Sequence, residues 1–66
     1  MRVRGEVIRA VRRKRGLTQQ QLADAIGASR KQVTLWEGNR SSPSAAHLFA
    51  VAKRLDVDPR ALVADD

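Results

Sequence analysis

The 66-residue chain carries 13 Lys and Arg against 7 Asp and Glu, a formal charge of +6 at pH 7, and contains no cysteine. So few residues close one small domain near the lower limit for independent folding, with no disulfide or thiolate metal site to reinforce it and no room for a deep substrate pocket. No apolar run approaches the roughly 20 residues that span a bilayer, and the charge points to an anionic partner: nucleic acid first, an acidic membrane or protein second.

The distribution of charge sharpens this. Arg2, Arg4, Arg9, Arg12, Arg13, Lys14, Arg15, Arg30, Lys31 and Arg40 all lie in the first 40 residues, whereas the last stretch carries Asp56, Asp58, Asp65 and Asp66. Arginines occupy the N-terminal segment where an export signal needs an apolar run, so the chain is expected to stay in the cytoplasm. Residues 1–66 read as a single domain, with 1–4 a flexible basic arm and 64–66 a flexible tail.

The first helix is predicted over 5–15. Val7, Ile8 and Val11 form one apolar stripe, and Gly16 follows a last turn rich in positive charge, where a left-handed residue ends a helix. Arg12 interrupts the pattern, because it lies four residues after Ile8 at the edge of the buried stripe. It needs a carboxylate partner there, or its head must reach out to water.

Thr18 is a natural N-cap and Gln21 completes a capping box, so a second helix starts after Leu17 and turns Leu22, Ala23 and Ile26 inward. Gly27 stops it. Ser29 and Gln32 form a second capping box, which defines helix, tight turn and helix within about 20 residues. Val33 and Trp36 give the third helix its inward face, and Gly38 and Asn39 end it because both tolerate positive φ. A polar loop at 40–43 leads to a fourth helix, capped by Ser42 or Ser44 and reaching Leu55. Leu48, Val51, Ala52 and Leu55 supply its stripe, widened by Ala45 and Phe49. Val57 continues the core in an extended link, and Asp58 with Pro59 opens a last short helix carrying Leu62. No segment alternates like a strand. The predicted fold is all-α, a compact five-helix domain with a helix-turn-helix at helices two and three.

On a wheel at about 100° per residue with Val33 facing the core, Ser29 and Trp36 fall near Val33 and Glu37 lies about 40° away. Lys31 and Leu35 then point outward, flanked by Gln32 and Thr34, with Arg30 at the N-terminal shoulder. Such a face suits the major groove: Arg and Lys reach guanine or phosphate oxygens, Gln pairs with adenine, and Leu touches a thymine methyl. A solvated surface with one stray leucine is the ordinary alternative.

Ala23, Gly27, Val33 and Trp36 stand at the spacing of the helix-turn-helix proteins of the Cro/CI or Xre type, and residues 5–63 as a whole resemble that phage-repressor family domain. Ala23 lets the two helices cross closely, Gly27 supplies the turn, and Val33 and Trp36 lock the second helix onto the core. The resemblance implies that helix three enters the major groove, with Arg30, Lys31, Gln32, Thr34 and Leu35 as base-reading residues. It implies backbone contacts from Thr18, Gln19 and Arg40, helped by the N–H groups at the helix start. It also implies an internal ion pair between Arg12 and Glu37, which makes both residues structural. Leu35 departs from the polar side chain many relatives carry there.

The function expected is a sequence-specific regulator of transcription, a repressor, that binds double-stranded DNA as a homodimer on a roughly palindromic operator. One small module reads too few base pairs to find a genomic site, and pairing doubles the contacts. The resemblance implies a dimer surface built from the last helices and the loop before them, which makes Phe49, Leu62 and Val63 its candidates, and each of the three also suits the core. The alternative is an antitoxin or adaptor of the same fold whose task is to bind a partner protein. No enzyme is expected, since one His and scattered carboxylates make no acid–base or nucleophilic constellation. His47 has no second His or Cys for a metal, and no cofactor, membrane or small-molecule ligand is indicated.

Overall fold

A computed structural model describes residues 2–65. The order of elements is β1 (Arg2–Val3), α1 (Gly5–Lys14), α2 (Gln19–Ile26), α3 (Arg30–Glu37), α4 (Ala45–Leu55), a 3₁₀ turn (Pro59–Leu62) and β2 (Val63–Ala64). The helices enclose one core. Ile8 comes from α1, Leu22 and Ala23 from α2, Val33 and Trp36 from α3, Val51, Ala52 and Leu55 from α4, and Leu62 from the 3₁₀ turn. Ile8, Leu22, Leu55 and Leu62 are completely buried, each contributing roughly 1.5–3 kcal/mol of transfer free energy.

The local signals explain the helix limits. Thr18 Oγ1 accepts from the Gln21 N–H at 3.0 Å while Gln21 Oε1 accepts from the Thr18 N–H at 2.8 Å. Ser29 and Gln32 repeat the exchange at 3.1 and 2.9 Å. Between the two boxes Gly27 sits at φ +71°, a left-handed conformation that closes α2 and starts the turn. Ala23 is fully buried, as the close crossing requires. Of the two serines that could cap α4, Ser44 does so, accepting from the His47 N–H at 3.1 Å.

Three differences from the sequence reading have physical causes. The fifth helix is a single 3₁₀ turn, because Asp58 and Pro59 start it but the chain becomes extended at Val63. Val63 and Ala64 pair antiparallel with Val3 and Arg2, so residues expected in a loose arm and tail form a two-stranded ribbon that joins the termini. Met1 and Asp66, the outermost residues of that arm and tail, lie outside the described residues. Two residues are too short a run for alternation to register, and Val3 and Val63 pack against the core edge. At the end of α3, Gly38 keeps a negative φ of −88° and only Asn39 adopts the left-handed region, at φ +58°.

Asn39 explains a further requirement. Its Oδ1 accepts from the Gly5 N–H at 2.9 Å and its Nδ2 donates to Glu6 Oε1 at 3.0 Å, tying the start of α1 to the end of α3. A Cβ at Gly5 would overlap the Trp36 carbonyl oxygen, so the two backbones meet where only glycine fits. The hydrogen bond from Asn39, with the nearby Arg2 and Arg4 charges, holds the exposed Glu6 carboxyl below its ordinary value.

Candidate nucleic-acid interface

The orientation of α3 is fixed from its inner side. Val33, Trp36 and Glu37 are buried; Arg30, Lys31, Gln32 and Thr34 are exposed. Leu35 is half-buried rather than fully outward. The loop after α3 turns back on the helix end, with the Arg40 N–H donating to the Leu35 carbonyl at 2.9 Å.

Arg12 and Glu37 join α1 to α3. Arg12 Nε donates to Glu37 Oε2 at 2.6 Å and Nη2 donates to Oε1 at 3.0 Å, while Nη1 donates to the Leu17 carbonyl at 2.7 Å. Both residues are only 6% exposed. Burial of two charges costs several kcal/mol each, and bidentate geometry with every fork direction used is what offsets it. Arg12 therefore stays inside and does not reach out to water.

Gln19 extends this network to the outer face. Its Nε2 donates to Glu37 Oε1 at 3.0 Å, and its Oε1 accepts from Thr34 Oγ1 at 2.9 Å. The Arg30 carbonyl, also 2.9 Å from Thr34 Oγ1, competes for the same proton. Thus Gln19 and Thr34, assigned separate roles in the sequence, touch each other across the α2–α3 corner. Gln32 is also partly committed, since its Oε1 caps Ser29 and only its amide nitrogen remains for an outside partner.

The cations divide into two groups. Arg4 faces Glu6 at 3.6 Å, Arg12 pairs with Glu37, and Arg60 pairs with Asp58 at 2.9 Å. Arg15 Nε donates to the Leu55 carbonyl at the end of α4 at 2.9 Å, so it joins two helix ends instead of adding to a diffuse positive surface. Among the described residues, the side chains of Arg9, Arg13, Arg30, Lys31 and Arg40 make no hydrogen bond or ion pair. Arg30 shares an open cleft with Arg13, Thr18, Gln19 and Gln20. A neighbouring cleft is lined by Arg9, Gln19, Thr34, Glu37 and Gly38. Arg40 lines neither. Sequence reasoning passed over Arg9; the signal that marks it is its spacing of four from Arg13, which puts both on one side of α1.

A different surface lies at the ribbon end. Val3, Pro43, Leu48, Phe49 and Val63 line an apolar groove of about 290 Å³ with Arg60 at its edge. Phe49 is 60% exposed and is the large apolar side chain that the described residues leave most open, whereas Leu62 is completely buried and belongs to the core. No helix among the described residues is long and apolar enough to cross a membrane.

Residues 8–62 match the family described as helix-turn-helix. The chain is 39% identical over 62 residues to the immunity repressor protein of Bacillus phage phi105, which covers 94% of this chain but only 43% of that relative's length. Among solved structures it resembles the P22 c2 repressor in complex with a synthetic operator, at 32% identity and a TM-score of 0.90 over 100% of both chains. It also resembles the restriction-modification controller protein C.AhdI from Aeromonas hydrophila, at 32% identity and a TM-score of 0.84 over 89% of each chain.

Proposed function

The chain belongs to the helix-turn-helix family of the phage-repressor type, and from that membership we propose that it is a sequence-specific regulator of transcription, a repressor, that binds double-stranded DNA. The observation that carries the reading is the outer face of α3. There Arg30 and Lys31 stand exposed, with no side-chain partner among the described residues, on a helix whose inner side is fixed by Val33, Trp36 and the Arg12–Glu37 pair. A helix held at a set angle with unpaired donors outward meets the geometric need of major-groove reading.

In this reading Arg30 and Lys31 supply the directional hydrogen bonds to base edges. Gln32 offers its amide nitrogen, and Thr34 and the half-buried Leu35 supply closer, shape-dependent contact at the groove wall. Thr18 and Gln19 sit against the phosphate backbone at the start of α2, where N–H groups and the helix dipole favour an anion. Arg40 approaches the backbone from the loop after α3. Two copies act together, with the Phe49 groove as the surface that joins them and half-sites about 34–36 Å apart.

Selection of bound duplexes from a random pool tests this. The expected result is enrichment of a two-fold symmetric site, abolished when Arg30, Lys31, Thr34 and Leu35 are all changed to alanine. An adaptor or antitoxin that docks a partner protein instead predicts no enrichment from the wild-type chain, and that outcome would sink the proposal.

A further inference from the structure

Arg9 and Arg13 lie one turn apart on α1, outside the helix-turn-helix proper, and both are exposed. Their Cβ atoms are therefore about 5–6 Å apart, and two such cations repel each other unless something negative lies between or beside them. Among the described residues neither arginine has an ion-pair partner: Glu6, three residues before Arg9 on α1, accepts from Asn39 and faces Arg4, and Glu37, which lines the cleft with Arg9, is taken by Arg12 and Gln19. Asp24 accepts from Gln20 at 2.8 Å further along α2.

The two open clefts give these arginines a position. Arg13 lines one with Thr18, Gln19 and Arg30; Arg9 lines the other with Gln19, Thr34 and Gly38. Gln19 is common to both, so the clefts meet at the start of α2, where unsatisfied backbone N–H groups already favour an anion. Gln19 thus joins the cleft that holds Arg13 and Arg30 to the cleft that holds Arg9 and Thr34. The guanidinium fork of each arginine matches the oxygens of a phosphate.

We propose that Arg9 and Arg13 are phosphate-binding residues that flank Gln19 and hold neighbouring phosphates of one DNA strand while α3 lies in the groove, so that α1 is part of the interface. The inference rests on the DNA-binding reading above. It assigns two contacts that carry affinity without base preference, since phosphates bear no sequence information.

The test measures binding of the whole chain to a short mixed-sequence DNA duplex as a function of salt. Arg9→Gln and Arg13→Gln are compared with Arg54→Gln, which removes the same charge from a separate cleft that Arg54 lines with Ala25, Ala50 and Lys53. Each of the first two should lower the slope of log K against log salt by about 0.9, the value of one neutralised phosphate. Arg54→Gln should leave the slope unchanged, and Arg9→Lys should restore most of it. Equal slopes in all three glutamine variants would mean that only overall charge acts, and would overturn the proposal. So would a change confined to one of the two arginines. A wild-type chain that binds no duplex at all would instead overturn the DNA-binding reading beneath it. All the substituted positions are exposed, and a thermal melt of each variant checks that the fold is retained.

Discussion

The inner and outer sides of α3 carry similar chemistry and use it oppositely. Inside, the Glu37 carboxylate meets Arg12 from α1 and Gln19 from α2, and the three elements are locked together through one buried anion. Outside, Arg30 and Lys31 have no partner among the described residues, though they sit within two turns of that network. The contrast shows that an arginine's task here is decided by whether the fold gives it a carboxylate. A charge that is paired and buried positions the helix; a charge left unpaired on a rigid surface is available for another molecule.

The largest effect expected from breaking this division is on the inner side. Glu37→Ala should cost about 3–5 kcal/mol of stability in a denaturant titration, because it leaves the Arg12 guanidinium buried without its anion. Adding Arg12→Met should recover much of that loss, since an apolar pair of similar volume is often as stable as a buried ion pair. A single-variant loss below about 1 kcal/mol would put the pair in the class of weak surface bridges and break the comparison.

On the outer side, Arg30→Ala should leave stability within about 0.5 kcal/mol, as for an ordinary surface substitution. It should cost roughly 1–3 kcal/mol in discrimination between the selected site and a variant of it, read from the ratio of the two affinities. A stability loss in place of the specificity loss would move Arg30 to the structural group.

The smallest effect sharpens the comparison at an exposed pair. Hydrogen bonds from the Arg60 side chain and backbone hold the Asp58 carboxyl down, from an ordinary 3.8 to about 2. A lowered folded pKa contributes stability that is present above 3.8 and lost as pH falls toward 2. An NMR titration should therefore place Asp58 near 2, and Arg60→Gln should return it toward 3.8. An Asp58 midpoint already at 3.8 in the wild type would show that this pairing does not persist in water.

Much of the helix pair is written locally. Thr18 with Gln21, Ser29 with Gln32, and Gly27 between them each act over three or four residues, so their hydrogen bonds and φ angles follow from neighbours in the chain. The apolar positions of α1 to α4 are equally legible, because a period of 3.6 residues marks one face whatever it later touches. The short ribbon of Arg2–Val3 with Val63–Ala64 is not legible, since strand pairing across the whole chain leaves no trace in a two-residue segment. Nor is the reason for Gly5, whose neighbour Trp36 lies on another helix.

By itself, then, the sequence determined the two capping boxes and the turn between them, which residues of α1 to α4 turn inward, and that the outer face of the third helix carries Arg30 and Lys31. The family pattern added Arg12 and Glu37 as partners. Tertiary structure alone decided which cations remain unpaired, because pairing depends on carboxylates and carbonyls brought close from distant positions. It gave Arg15 to the Leu55 carbonyl at the end of α4, while Arg9 and Arg13 beside Gln19 make no ion pair among the described residues. It also turned the Gln19 amide toward Thr34 and Glu37, a choice no spacing rule contains, since it arises where three helices converge on one buried anion.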